Sequence, residues 1–299
     1  MKTLCTLLAF GLLANVAAPG QQIRYTSGQG VVPVYEGWEK NPDGSFNMVF
    51  GYFNRNYEEE VDVPIGPDNK LEPGSADQGQ PAHFYTRRQE FVFKVKVPAN
   101  WGEKEVVWTL NFRGKAEKAY GTLVPLYELG NLIYLENRKG AGALTYPEEP
   151  NTAPTIEMVG SARRTVAPGE PLTLSVDVVD DGYPKPIVRK TPPNPNRPAG
   201  GDFVRQASPA TQAVVKLDPG VRLGVTWVVY RGAAEGVTFD PMRSAVVKNA
   251  AAGAPAAEGP LKGRATTTVT FGKAGEYVLR AYADDGVLTA QQDIVVTVR

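Results

Sequence analysis

The sequence predicts an all-β protein with two antiparallel β-sandwich domains in tandem after a signal peptide. Short runs that alternate apolar and polar residues recur along the chain, and a period of two is typical of half-buried strands. The chain also contains 31 glycines and 25 prolines, which mark turns between such strands. No window shows sustained helical periodicity. These observations favour many short strands joined by tight loops over helices.

The first 20 residues have the order of features of a secretory signal peptide. Lys2 gives a positive start, an apolar run follows over residues 4–13, and small residues are frequent over 14–20. The run is well short of the roughly 20 apolar residues that a transmembrane helix needs. We therefore expect residues 1–20 to be removed and the mature chain to begin at Gln21. Its destination is then a periplasm, a cell surface or the extracellular space.

Cysteine usage and charge exclude several kinds of site and partner. The single cysteine, Cys5, lies inside the predicted signal peptide. The mature chain therefore has no disulfide, no thiolate metal site and no cysteine nucleophile. The 32 basic and 32 acidic residues are spread without long blocks of one sign. We expect no nucleic-acid partner, because no basic stripe is present. No second apolar stretch reaches membrane-spanning length.

The first predicted domain covers residues 21–139. A β-hairpin is expected over 34–54, because Asn41-Pro42-Asp43-Gly44 supplies a turn between two alternating runs. A long turn-rich loop, 66–81, follows the next alternating run. Further strands are expected at 61–65, 91–97, 106–112 and 119–126, the last after a turn at Gly114 and Lys115.

A composition break rich in proline and glycine separates the two halves. We assign residues 140–154 to a linker stiffened by proline and residues 155–299 to the second domain, so that each domain has an ordinary size. Strands are expected at 155–159, 172–179, 225–230, 277–283 and 290–298. The proline-rich segment 184–209 and the alanine- and glycine-rich segment 249–263 are expected to be long loops.

A series of motifs in the second domain carries a family resemblance. In order, they are Ala153-Pro154, Pro168-Gly169-Glu170-Pro171, Asp180-Asp181-Gly182, Thr226-Trp227, Gly275-Glu276-Tyr277 and Asp284-Asp285-Gly286. This order resembles the polycystic-kidney-disease (PKD) type of immunoglobulin-like repeat of exported bacterial proteins, over nearly the whole domain. The two long loops depart from the pattern. The resemblance implies an immunoglobulin-like sandwich that serves as a spacer, adhesion or docking module without catalysis.

Catalytic equipment is sparse, and we predict that the protein is not an enzyme and has no catalytic residues. His83 is the single histidine, so that a Ser-His-Asp triad has only this candidate and a histidine-rich metal site cannot form. The adjacent carboxylates at 58–60 point alternately to opposite faces of a strand, which is poor geometry for hydrolysis. We expect His83 to be a sheet-edge or loop residue.

Two Asp-Asp-Gly turns suggest a calcium site. Asp180 and Asp181 follow one predicted strand, and Asp284 and Asp285 follow another, so that the two pairs can approach each other at one end of a sandwich. Clustered carboxylates on loops are what calcium prefers. Asp and Gly also form tight turns without any metal. Both explanations remain open from the sequence, and no other cofactor is expected.

The predicted function is that of a secreted or cell-surface interaction or adhesion protein, with another envelope or extracellular protein as its partner. The alternative is a carbohydrate-binding protein whose partner is a polysaccharide. Four aromatic residues of the first domain are candidates for stacking on sugar rings, namely Trp38, Tyr52, Tyr57 and Trp101. Trp108 and Trp227 are expected in the cores, because each has apolar residues two positions away on both sides.

Overall fold

The computed structural model describes residues 25–130, 133–134, 151–183, 223–248 and 260–299. Within these ranges the chain forms mostly β-strands, with one short 3-10 turn and two helical residues at 133–134. In chain order they are β1 (Val31–Lys40), β2 (Phe46–Asn54), β3 (Val61–Asp62), β4 (Asn69–Glu72), β5 (His83–Phe84), β6 (Arg87–Val97), β7 (Val106–Phe112), β8 (Lys115–Gly121), the 3-10 turn (Pro125–Tyr127), β9 (Thr155–Met158), β10 (Arg163–Val166), β11 (Leu172–Asp180), β12 (Gly224–Arg231), β13 (Val237–Asp240), β14 (Arg243–Ala245), β15 (Val247–Lys248), β16 (Leu261–Phe271), β17 (Gly275–Asp284) and β18 (Thr289–Val298).

Several predicted segments fall outside the described residues. They are the signal peptide at 1–20, the proline-rich loop at 184–209 and most of the linker at 140–154. Across the ranges that are described, no helix has the length and apolar character needed to cross a bilayer.

The first domain contains two three-stranded antiparallel sheets and one short strand pair. β1, β2 and β6 form one sheet in that order, and β4, β7 and β8 form the other. The two-residue strands β3 and β5 pair with each other. The core between the sheets includes Phe50, Phe93 and Trp108, whose rings contact one another. Trp108 is fully buried, as its flanking residues predict.

The β7–β8 hairpin is tighter than predicted. Its two connecting residues, Arg113 and Gly114, both have positive φ, 55° and 74°, which is the type I′ geometry that matches the twist of paired strands. The sequence pattern placed the returning strand at 119–126, but β8 begins at Lys115 and ends at Gly121. The strand starts earlier because a type I′ turn needs only two residues.

A shift in register crosses the β1–β2–β6 sheet. It lies beside Glu36 in β1 and beside Gly51 in β2. A Cβ atom on Gly51 would come within 2.4 Å of the backbone carbonyl oxygen of Gln89, as well as 2.1 Å from Glu36 Oε1, so this position requires glycine. Arg88 on β6 donates to Glu36 Oε2 at 2.7 Å. Burial raises the pKa of Glu36, against the opposing effect of Arg88. Because the bulge re-aims the side chains, the strict alternation predicted for β1 breaks at this point.

The second domain is a sandwich of two sheets. One sheet has the order β10-β18-β17-β12-β14, and the other has the order β13-β16-β11-β9, with β15 also paired to β16. The described pairings are antiparallel except that of β10 with β18. The start of the domain is thus divided between the sheets, since β9 joins β11 in one and β10 joins β18 in the other. Leu174, Trp227 and Leu279 are fully buried between the sheets.

Two core residues support an immunoglobulin-like sandwich. Trp227 is fully buried on β12, where an immunoglobulin domain carries its core tryptophan on strand C. The Tyr277 hydroxyl, near the start of β17, donates to the carbonyl oxygen of Lys273 at 2.9 Å. This hydrogen bond is the tyrosine corner of such sandwiches. The predicted all-β, immunoglobulin-like fold class is confirmed, whereas the PKD type remains a prediction.

Two predicted loops are shorter than the sequence suggested. Residues 66–81 contain β4, which pairs with β7, although their turn-forming residues predicted a continuous loop. Asn69 accounts for the difference, because its buried amide donates to the carbonyl oxygens of Val63 and Pro81 at 2.9 and 2.7 Å. Of the segment predicted as a loop over 249–263, residues 249–259 lie outside the described residues, and residues 261–263 belong to β16.

We predict that Tyr277→Phe lowers the free energy of unfolding by about 1 kcal/mol, the usual net contribution of one hydrogen bond. Denaturant unfolding followed by tryptophan fluorescence measures the change. Tyr120→Phe is the matched control, because Tyr120 is 51% exposed and substitutions at such surface positions are nearly neutral. Equal effects of the two substitutions would contradict a tyrosine corner in β17.

Candidate functional site

The clearest site in the molecule is the seam between the two domains, where β12 meets the first domain. Every residue of β12 from Gly224 to Tyr230 is buried. Trp227 and Val229 belong to the core of the second domain. Val228 and Tyr230 alternate with them and line the seam with residues of the first domain. β12 is therefore buried on both faces.

Backbone and phenol groups bond directly across the seam. The Ala82 amide donates to the carbonyl oxygen of Tyr230 at 3.0 Å. The Val229 amide donates to the Tyr85 hydroxyl at 2.8 Å, and the Tyr230 hydroxyl donates to the carbonyl oxygen of Gly79 at 2.5 Å. Burial raises the pKa of Tyr85 and of Tyr230, so both phenols stay protonated at physiological pH. The segment around residues 79–85 is thus fixed to β12.

Arg231, at the end of β12, forms bidentate hydrogen bonds with the segment 66–81 of the first domain. Its two terminal nitrogens donate to Asp77 Oδ2 and Oδ1 at 2.8 and 2.7 Å. Its Nε and one terminal nitrogen also donate to the carbonyl oxygen of Gln80. The hydrogen bond from Arg231 holds the pKa of Asp77 below its usual range. Bidentate geometry of this kind specifies orientation as well as affinity.

A second arginine lies flat in the seam. Arg280 on β17 is 3% exposed, and its guanidinium carbon stacks 3.4 Å from the centre of the Tyr230 ring. It donates to both carboxylate oxygens of Asp293 at 2.6 and 2.8 Å and to the carbonyl oxygen of Val92 at 3.2 Å. Tyr282 donates to the same carbonyl at 3.1 Å. Burying a charge costs free energy unless the charge is paired. The carboxylate of Asp293 and the carbonyl oxygen of Val92 provide that pairing for the Arg280 guanidinium.

An apolar contact extends the seam at the turn between β17 and β18. Val287, in this turn, is 3% exposed and belongs to one cluster with Val49, Phe91, Leu129 and Tyr134. These four residues lie before the second domain in the chain. The turn is therefore buried against the first domain and is not a free surface loop.

A cavity of about 50 Å³ opens at the seam. Its lining includes Tyr52, His83, Tyr85, Tyr230 and Tyr282. This volume holds roughly three waters and excludes a sugar or a cofactor, since one water needs about 10–15 Å³ by this measure. Polar side chains line it on both sides, so the cavity suits ordered water between the domains.

His83 lies buried at this cavity, between two carboxylates. Its Nδ1 is 2.7 Å from Asp62 Oδ1, and its Nε2 is 3.0 Å from Glu60 Oε2. Burial of the ring lowers its pKa, but the hydrogen bonds and charges of the two carboxylates outweigh this effect and raise the pKa above 6.5. The ring also meets the Tyr85 ring edge-on at 4.6 Å. Its position in β5 agrees with the predicted place in an extended segment.

The first pair of predicted calcium ligands, Asp180 and Asp181, accepts hydrogen bonds from residues near the start of the second domain and from the turn after β11. Asp181 Oδ2 accepts from the backbone amide and the hydroxyl of Thr152 at 2.8 and 2.7 Å. Asp180 Oδ2 accepts from the Gly182 amide at 2.9 Å, which is a turn of the kind that the Asp-Asp-Gly sequence predicts. Asp181 therefore ties the end of the linker to the turn after β11.

The second pair of predicted calcium ligands, Asp284 and Asp285, makes two different kinds of contact: an ion pair and a turn. Asp284 is fully buried and pairs with both terminal nitrogens of Arg243 at 2.6 and 3.1 Å. Asp285 Oδ1 accepts from the amides of Val287 and Leu288 at 2.6 and 2.7 Å. Asp285 thus supports the turn that buries Val287 in the seam.

Asp285 is buried directly after the end of β17, and the charge of Asp180 acts on it. Burial raises the pKa of Asp285 to about 7, with a further contribution from the charge of Asp180 and opposing hydrogen bonds from backbone amides and Asn151. Asp285 Oδ2 is buried and accepts no hydrogen bond. In the described part of the chain, no three His, Cys, Asp or Glu side chains are grouped closely enough to hold a metal ion.

Two of the four aromatic residues predicted to bind sugar lie in the interior. Trp38 and Tyr52 are buried, at 8% and 3% exposure, and so present no ring face to a ligand. Tyr57 stacks on Arg87 at the start of β6, 3.9 Å from its guanidinium carbon. Trp101 follows the end of the same strand, and its Nε1 donates to the carbonyl oxygen of Lys104 at 2.7 Å. For Tyr57 and Trp101 a role in sugar binding stays a prediction.

Sequence reasoning missed an exposed apolar ridge, which we define as residues 124–127. Leu126 is 84% exposed, and Val124 and Tyr127 are 46% and 47% exposed. The ridge is held by its backbone, since Trp38 Nε1 donates to the carbonyl oxygen of Val124 at 2.8 Å and the Leu129 amide donates to that of Trp38 at 2.7 Å. The sequence pattern predicted a strand over 119–126, and the alternation of a strand would bury half of its side chains.

Comparison with known proteins gives only distant structural neighbours. No family model matches the chain, and no curated protein matches its sequence. Domains 4 and 5 of the S-layer protein SbsC are 11% identical, with a TM-score of 0.23 over 90% of this chain and 98% of that one. The D00-D0 domain of intimin is 9% identical, with a TM-score of 0.22 over 89% and 99%. A chimeric titin Z1Z2 tandem is 11% identical, with a TM-score of 0.23 over 89% and 99%. Superpositions this loose carry no conclusion about function.

We predict that Arg231 and Asp77 are energetically coupled across the seam. A double-mutant cycle with Arg231→Met and Asp77→Asn should give a coupling of about 1–2 kcal/mol, since the pair is bidentate but Asp77 is half exposed. Equilibrium unfolding measures the four stabilities. The matched control is Arg264 with Asp177, a bidentate pair on an exposed sheet face, whose coupling should be smaller. An equal coupling energy for Arg264 and Asp177 would show that the Arg231–Asp77 pair contributes no more than an ordinary surface ion pair.

Proposed function

We propose that the chain is an exported, non-catalytic interaction protein in which the second sandwich, of the PKD type, is a spacer or docking module fixed to the first. The observation that carries this proposal is the seam. Its backbone bonds, its two arginines and its apolar turn fix one domain orientation, whereas contacts between domains of one chain ordinarily permit relative motion. A fixed pair of sandwiches presents its outer surfaces at a constant distance and angle, which suits adhesion or docking.

The proposed partner is another envelope or extracellular protein, and its proposed contact is the apolar ridge. Exposed apolar groups of this kind mark interaction surfaces when they are grouped. Leu126 is the most exposed large apolar side chain among the described residues. A polysaccharide partner has less support, because Trp38 and Tyr52 lie in the interior.

We predict that Leu126→Glu abolishes retention of a specific envelope protein and leaves the fold intact. The purified chain is immobilised and exposed to envelope extract, and separately to insoluble polysaccharides. Retained protein is identified and its binding is then measured with the purified partner. Met242→Glu is the matched control, because Met242 is an exposed apolar residue of the second domain, at 38%. Retention on polysaccharide alone, unaffected by Leu126→Glu, would replace the protein partner with the carbohydrate alternative.

A calcium ion at the end of the second sandwich is a second proposal. The observation that favours it is Asp285 Oδ2, which is buried without a hydrogen bond beside Asp180. Asp180, Asp285 and the side-chain oxygen of Asn151 are the groups that would hold the ion. Asp284 forms an ion pair with Arg243, and Asp181 accepts a hydrogen bond from Thr152. Of the four aspartates predicted as calcium ligands, the proposed site therefore uses one from each Asp-Asp-Gly turn. When bound, calcium would supply a positive charge beside the buried Oδ2 of Asp285.

We predict that millimolar calcium raises the midpoint of thermal unfolding. A concentration ten times the dissociation constant contributes about 1.4 kcal/mol to stability, and extracellular calcium modules bind in the range of about 0.1–1 mM. Scanning calorimetry measures the shift, with magnesium as the ion control. Asp285→Asn should remove the response, whereas Asp177→Asn, at an exposed ion pair, should retain it. The absence of a shift in the unmodified chain would leave the aspartates as turn formers only.

A further inference from the structure

His83 makes two hydrogen bonds that require it to be charged. A neutral imidazole has one N–H donor and one acceptor, and only the imidazolium donates from both nitrogens. The partners on both sides, Asp62 at 2.7 Å and Glu60 at 3.0 Å, are carboxylates that accept. The side chain of His83 is 2% exposed, whereas those of Asp62 and Glu60 are 48% and 44% exposed. The histidine is therefore a buried cation held by two carboxylates that reach the solvent.

The residues on either side of His83 are those that bond to the second domain. β5 pairs through two residues with β3. On its other side, the Ala82 amide donates to the carbonyl oxygen of Tyr230, and the Tyr85 hydroxyl accepts from the Val229 amide. A two-residue strand has little ladder of its own to hold it in place. The hydrogen bonds of His83 to Asp62 and Glu60 thus hold the same short segment, residues 82–85, that bonds to the second domain.

We propose that His83 is a proton-operated latch for the domain seam. With the imidazolium clamped by Glu60 and Asp62, residues 82–85 are held in the position that bonds to β12. When the proton leaves, one ring nitrogen becomes an acceptor that faces a carboxylate, and that hydrogen bond turns into a repulsion. Residues 82–85 then lose one of the interactions that position them, and the bonds to Tyr230 and Val229 open more often.

The direction of the pH response follows from the charges around the ring. The two carboxylates raise the pKa of His83 in the folded chain, so the stabilisation is complete below the ordinary pKa of histidine and is lost as the pH rises through the raised value. The titratable groups that line the cavity with His83 or contact it are Glu60, Asp62, Tyr52, Tyr85, Glu90, Tyr230 and Tyr282. Burial raises the pKa of Tyr52, Tyr85 and Tyr230, so these phenols stay neutral while His83 titrates.

The experiment uses the fact that the chain has one histidine. Its imidazole resonances in an NMR titration belong to His83 without further assignment. Hydrogen-exchange protection of the Ala82 and Val229 amides is followed over the same pH range, corrected for the intrinsic exchange rate. We expect both protection factors to fall together as His83 loses its proton, by up to about tenfold for each unit by which its pKa is raised. The Gly169 amide, bonded to Phe271 within the second domain, should keep its protection.

Variants separate the latch from a purely structural role. Glu60→Gln and Asp62→Asn, at half-exposed positions, should each lower the His83 pKa and shift the opening of the seam to lower pH by the same amount. Asp177→Asn, at a distant exposed pair, should change neither. His83→Gln should make the protection of Ala82 and Val229 independent of pH in this range. The proposal is overturned if His83 is neutral in mild acid, or if the two amides keep constant protection while it titrates.

Discussion

The architecture depends on the burial of β12 on both of its faces. Trp227 and Val229 fill the core of the second sandwich, and Val228 and Tyr230 face the first domain. A strand covered on both sides has no polar face, which is why residues 225–230 carry no regular alternation. Because β12 is an interior strand of its own sheet, between β17 and β14, the first domain is attached to the sheet of the second and not to one of its loops.

The polar groups of the seam make this attachment specific. An apolar contact alone would permit sliding, whereas the fork of Arg231 on Asp77 and the stacking of Arg280 on Tyr230 each have one good geometry. Each guanidinium that enters the seam is paired with a carboxylate, so the charges do not oppose docking. The segment 66–81 is an internal docking element for this reason, although its composition is that of a free surface loop.

Much of the fold could be predicted from the sequence, because alternation and turn residues act locally. Trp108 and Trp227 were assigned to the cores from their neighbours two positions away, and both are fully buried. The errors arise where a distant partner decides the outcome: β4 forms because Asn69 is bonded by Val63 and Pro81.

The sequence by itself determined the all-β class, the positions of several strands in the second sandwich and the absence of cysteine after Cys5, since these depend on residue type and spacing. Only the tertiary structure decided that Trp38 and Tyr52 are interior, that the ridge at 124–127 is exposed, and that His83 lies between two carboxylates. The reason is physical. Periodicity states which residues share one face of a strand, but what covers that face is set by segments far away in the chain.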